Sequence, residues 1–112
     1  GFEMYEMSEM AALMEQMYVD NQRLKDRILK GDTIGKFPQH FTRIHEAVLT
    51  DETDKDEFFN DQAKKFIEAQ ELIYKDPENA KTHFNNGIDA CIKCHEVKCG
   101  GPIPKIKKLY IE

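Results

Sequence analysis

Apolar residues recur along this chain at intervals of three and four, in four successive stretches, and no stretch sustains the alternation of a half-buried strand. Such spacing returns an apolar side chain to the same helix face every turn, so each stretch predicts an amphipathic helix that must bury one face. The first runs from about Ser8 to Lys30, with a stripe of Met7, Met10, Met14, Met17, Leu24 and Ile28, and with Leu13 and Val19 beside it. Ser8 offers an N-cap hydroxyl, with Met7 and Ala12 placed as a hydrophobic staple around it. Gly31 after Lys30 reads as a left-handed stop. The second helix is shorter, with Phe37, Phe41, Ile44 and Val48 as its stripe, Pro38 in its first turn and an end near Leu49. The third spans Asp54 to Tyr74 through Phe59, Ala63, Phe66, Gln70 and Ile73, and Asp76-Pro77 breaks it. The fourth begins near Pro77, carries Ala80, Phe84, Gly87, Ile88, Cys91 and His95 along one side, and stops at Gly100-Gly101-Pro102.

Four such helices with short connections predict an all-α fold, a four-helix up-down-up-down bundle over residues 8–98 with helix 1 antiparallel to helix 4. Residues 99–112 are then an extended C-terminal tail, folded back over the bundle by Ile103, Ile106, Leu109 and Ile111. At 112 residues the whole chain suits a single domain, 1–112. No run approaches the roughly 20 apolar residues of a membrane span. A formal charge of -5 argues against neutralising nucleic-acid phosphates. That charge is uneven: Asp51 to Asp61 is strongly acidic, whereas Lys105, Lys107 and Lys108 make the tail basic, most simply a solvated patch, with steering of a redox partner by charge as the alternative. The opening Gly-Phe-Glu-Met-Tyr-Glu has neither the basic start nor the apolar core of a secretion signal, and Gly1 reads as a processed or engineered end. No acid/base pair, nucleophile constellation or phosphate-binding loop points to an enzyme.

Residues 91–95 read Cys-Ile-Lys-Cys-His, the attachment signature for c-type haem. Two thiols on one helical turn can each add to one haem vinyl group, and the histidine after the second is carried under the ring to bind iron. Three other readings stand beside this one. A thioredoxin-like dithiol needs a βαβ setting that an all-helical chain lacks. A zinc site needs four ligands, which Cys91, Cys94, His95 and Cys99 could supply from one short stretch. The pair could also be inert. The adjacency of the histidine makes one covalent haem c, its iron held by His95, the leading expectation.

A helical bundle with Cys91-x-x-Cys94-His95 near the end of its last helix resembles the cytochrome c-prime family, since most c-type cytochromes carry this motif near the N-terminus. The resemblance covers about Ser8 to Lys98 and is specific at the haem motif. It implies a periplasmic location, where haem is attached, with a signal peptide already removed. One branch of that family keeps a five-coordinate, high-spin iron and binds small gases such as nitric oxide or carbon monoxide. The other takes a sixth ligand from a helix 1 methionine and transfers electrons to redox partner proteins. Leu13-Met14 resembles the methionine-ligated branch, which implies Met14 as the distal ligand, with Met10 next. Helix geometry agrees if Ser8 is the N-cap, since a helix starting there and antiparallel to helix 4 brings Met14 level with His95, whereas a start as early as Phe2 favours Met7 or Met10. A Met/His pair raises the reduction potential, which suits electron transfer.

Met4, Met7 and Met17 read as core packing, for which methionine is well suited. His40, His45 and His83 read as surface residues, with a bis-histidine site as the alternative. The family commonly places a basic residue four positions after the haem histidine, where this chain has Cys99 and its nearest base is Lys98, so the family's proximal electrostatics do not carry over. Cys99 is the odd thiol, either buried and inert or paired between two chains as a homodimer.

Overall fold

Ser8 starts the first helix as its hydroxyl predicts: the Ala11 N–H donates to it at 3.1 Å. The computed structural model describes residues 8–49, 52–98 and 100–112, so Met4, Met7 with its staple, and Cys99 lie outside the described residues. Helix α1 spans Glu9–Lys30 and closes at Gly31, whose φ of 71° no β-carbon opposes and whose N–H returns to the carbonyls of Arg27 and Ile28. Helix α2, Glu57–Lys75, begins later than Asp54 because Asp56 takes the N-cap, its carboxylate accepting from the Phe59 N–H at 2.9 Å. The acidic residues just before, Glu52–Asp54, form a separate 3-10 turn. A 3-10 turn at Pro77–Asn79 leads into α3, Ala80–Lys98.

The stretch expected as the second long helix is instead a seven-residue 3-10 segment, Gln39–His45. Its two buried residues, Phe41 and Ile44, are three apart, the repeat that aligns side chains on a 3-10 face. Val48, expected in the stripe, is 51% exposed. The tail also differs from expectation: it is not extended throughout but contains a short helix, α4, Ile103–Lys107. Beyond α4 the tail does fold back, burying Leu109 and Ile111. Asn85 holds it, accepting from the Ile111 N–H at 2.8 Å and donating to the Ile111 carbonyl at 2.7 Å. The chain is therefore all-helical, with three long helices where the periodicity predicts four and no strand among the described residues.

Helices α2 and α3 form an antiparallel hairpin, close enough at Gly87 that a β-carbon there would lie 3.6 Å from Ala69 and Phe66. Helix α1 lies along this hairpin. Its first half puts Met10, Leu13 and Met17 against Phe59, Ala63, Phe66 and Ala90, while Leu24 in its second half meets Ile73, Ala80, Phe84 and Ile88. Helix α1 is thus antiparallel to α3, as expected. A buried hydrogen bond of 2.8 Å from the Gln70 amide to the Asn21 side-chain carbonyl ties α1 to α2. No helix of the described chain is long and apolar enough to cross a membrane.

Candidate functional site

Cys91, Cys94 and His95 occupy the last turns of α3. At 3.6 residues per turn, the spacing Phe84, Gly87, Cys91, Cys94 and Lys98 keeps them on the face that packs against α2, with His95 beside it. Phe84 and Gly87 are buried there, whereas Cys91, Cys94 and His95 are half-buried. Both cysteines pack at the rim of the cluster that contains Met10, Leu13, Met17, Phe59 and Ala63, and Met14 packs at the rim of the same cluster. The fold therefore gathers two thiols and three thioether side chains, from opposite ends of the sequence, around one apolar body.

This setting keeps the thiols protonated. Burial pushes Cys91 up to about 12, and the neighbouring Cys94 adds to the shift. Burial raises Cys94 as well, with Lys98 pulling it back and Asp56 adding to the rise. A dithiol built for exchange needs a lowered pKa, so these thiols are poorly suited to thioredoxin-like chemistry. Neither thiol is in a disulfide. For zinc, no three His, Cys, Asp or Glu side chains among the described residues come together as a ligand set. Cys99, the fourth member of the ligand set considered from the sequence, lies outside those residues.

Lys98 closes the end of the site. Its ammonium pairs with Asp56, the N-cap of α2, and ties the last turn of α3 to the first turn of α2. The pair holds the Asp56 carboxyl below its ordinary value, through Lys98 first and the Phe59 N–H second, and raises Lys98 in return. The other histidines lie apart. His40 meets Asp20 at 2.6 Å and stands edge-on to Phe41. His83 meets Asp76 at 2.9 Å at the turn between α2 and α3. His45 is exposed at the end of the 3-10 segment.

Sequence reasoning missed two polar features beside the site. One is the Lys98–Asp56 tie, a contact between residues distant in the chain. The other is Gln62, buried in α2, whose side-chain carbonyl has no hydrogen-bond partner among the described residues. The antiparallel register that sets Gly87 against Ala69 brings Gln62 level with the Cys94 turn. Its one sequence signal is an amide one turn from Phe59 and Phe66 on an apolar face. Compared with protein-family models, with curated proteins and with solved structures, the chain matches none.

Proposed function

We propose that this chain is a c-type cytochrome carrying one covalent haem on Cys91 and Cys94, with iron bound by His95, that exchanges single electrons with partner proteins in the periplasm. One observation carries the reading: the Cys91-x-x-Cys94-His95 run ends a helix whose thiols share an apolar cluster with the methionines of α1. The donor chemistry fits such a group. Two protonated thiols one turn apart can each add S–H across a vinyl double bond, and an imidazole adjoins the second. The architecture is then that of a cytochrome c-prime-like bundle in which the 3-10 segment stands in place of the second helix.

When bound, haem supplies a one-electron iron couple. The chain's own residues do the remainder. Cys91 and Cys94 would anchor the group, and His95 would hold its iron. Met14 would be the second side chain to hold the iron, because it lies at the rim with both thiols, whereas Met10 and Met17 are 3% and 4% exposed and committed to the core. The apolar wall of Leu13, Phe59 and Ala63 would keep water from the group and so favour its less charged, reduced state.

Expression with a haem-attachment system tests this directly. The purified chain should exceed its 13.1 kDa polypeptide mass by one haem and show a low-spin ferric spectrum. A colourless chain of bare polypeptide mass would refute the reading. A high-spin spectrum with immediate uptake of carbon monoxide by the ferrous form would assign gas binding in place of electron transfer.

A further inference from the structure

A groove of about 500 Å³ runs between the middle of α1 and the tail, lined in part by Tyr18, Gln22, Arg23, Lys25, Asp26 and Lys108. Two cations at this groove are held in place. The Lys25 ammonium donates to the carbonyls of Lys108 at 3.0 Å and Tyr110 at 2.8 Å, pinning the tail to α1. The Lys105 ammonium sits 4.2 Å above the Tyr18 ring. Arg23, Lys25, Lys105 and Lys108 thus converge on one surface, and Asp26 is the one carboxylate among the described lining residues. This concentration of positive charge occurs on a chain whose formal charge is -5.

The groove also adjoins the candidate site. Met14 and Tyr18 are four residues apart on α1, one turn along the same face, a rise of about 6 Å. On the other side, the Tyr110 hydroxyl donates to Asp89 at 2.6 Å, two residues before Cys91 on α3.

We propose that this groove is the docking surface for an acidic protein partner. The part of the proposal that concerns electron exchange with that partner rests on the cytochrome reading above; the charge argument does not. An acidic partner is repelled by the net charge of the molecule and attracted by these cations, so the field orients the encounter as well as accelerating it. Lys25 and Lys105 are already ordered by the tail carbonyls and the Tyr18 ring, so less side-chain freedom is lost on docking. Between the charges, the Gln22 side-chain amide donates to the Tyr18 hydroxyl at 3.1 Å and leaves its carbonyl oxygen as the polar contact.

Two measurements decide it. In the first, the full isotope-labelled chain is titrated with a hexaglutamate peptide and followed by NMR. The amide shifts should be confined to 18–26 of α1 and 105–109 of the tail, and should vanish in roughly 0.5 M salt, where the screening length is only a few ångströms. The Lys105→Glu/Lys108→Glu variant should bind roughly tenfold more weakly. Shifts centred on Lys64 and Lys65 of α2, no salt-sensitive shifts, or binding to anionic lipid vesicles without a response to the peptide would each overturn the proposal. In the second, the haem-loaded chain is oxidised by the hexacyanoferrate(III) anion. The rate should fall severalfold with added salt, the reverse of what the net charge predicts. A rate that rises with salt overturns the link between groove and electron exchange. A chain that takes up no haem refutes the cytochrome reading alone, and the peptide titration still decides the groove.

Discussion

Asn21→Leu is a substitution whose cost can be worked from the structure. Gln70 is 0% exposed and Asn21 3%, and the 2.8 Å bond between them is a buried polar tie between α1 and α2. The Gln70 side-chain carbonyl already has no partner among the described residues. Asn21→Leu would leave the whole Gln70 amide unpaired where water is excluded, a cost of about 1–3 kcal/mol. Gln70→Leu strands Asn21 in the same way but also removes the carbonyl that was unpaired, so it should cost less, about 1 kcal/mol. The double variant leaves no buried amide at this contact and adds apolar contact, so it should come within about 1 kcal/mol of the original chain. The cycle then shows a coupling of about 2 kcal/mol, well above the roughly 0.5 kcal/mol scatter of independent sites. For a chain of this length, a loss of 2 kcal/mol lowers the melting temperature by about 8 °C. Urea unfolding by far-ultraviolet circular dichroism measures all four proteins, with the cysteines in the same state throughout. An Asn21→Leu chain as stable as the original, or a double variant whose loss is the plain sum of the two single losses, would refute the reasoning.

Met14→Ala should convert a low-spin ferric haem protein to high spin and open it to carbon monoxide. Met17→Ala should leave the spectrum unchanged while costing about 2–5 kcal/mol of stability; a low-spin spectrum that survives Met14→Ala would move the ligand to Met10 or a histidine. Gly87→Ala should stabilise the chain by about 0.5–1 kcal/mol, because the new methyl would meet Ala69 and Phe66 at an ordinary 3.6 Å while the helix loses a flexible residue, and a lower urea midpoint would count against this packing. In the chain before haem attachment, with Cys99→Ser removing the third thiol, alkylation of Cys91 and Cys94 at mildly alkaline pH should be much slower folded than unfolded, and equal rates would contradict their burial. Asp56 is held below its ordinary 3.8 by Lys98 and the Phe59 N–H, and Asp76 by His83 and Asn79. Their contribution is therefore fully present above 3.8 and lost as pH falls through the lowered folded values, so the urea midpoint should drop in that window and Asp56→Asn should flatten the drop.

Features decided by neighbouring residues were legible from the chain alone. Ser8 caps α1 because its hydroxyl reaches an N–H three residues on, and Gly31 ends it because only the backbone at that position must turn left-handed. Asp76-Pro77 separates α2 from α3 for the same local reason. The spacing of Cys91, Cys94 and His95 is likewise local, since one turn of helix is enough to group them. What depended on distant partners was not legible. Phe37 to Val48 has helical spacing, yet the structure forms only a short 3-10 segment there, burying Phe41, Ile44 and Ala47 and leaving Val48 in solvent. Gln70 falls in the stripe of its helix, but nothing local names its partner, Asn21, which lies 49 positions away. The methionines of α1 form one stripe in sequence, and only the approach of α2 and α3 separates Met10 and Met17, sealed in the core, from Met14 at the rim with the thiols. Local hydrogen bonding and helix periodicity write starts, stops and stripes into the sequence. Which part of a stripe is sealed and which stays at an edge depends on surfaces contributed from elsewhere in the chain, and only the packed structure decides it.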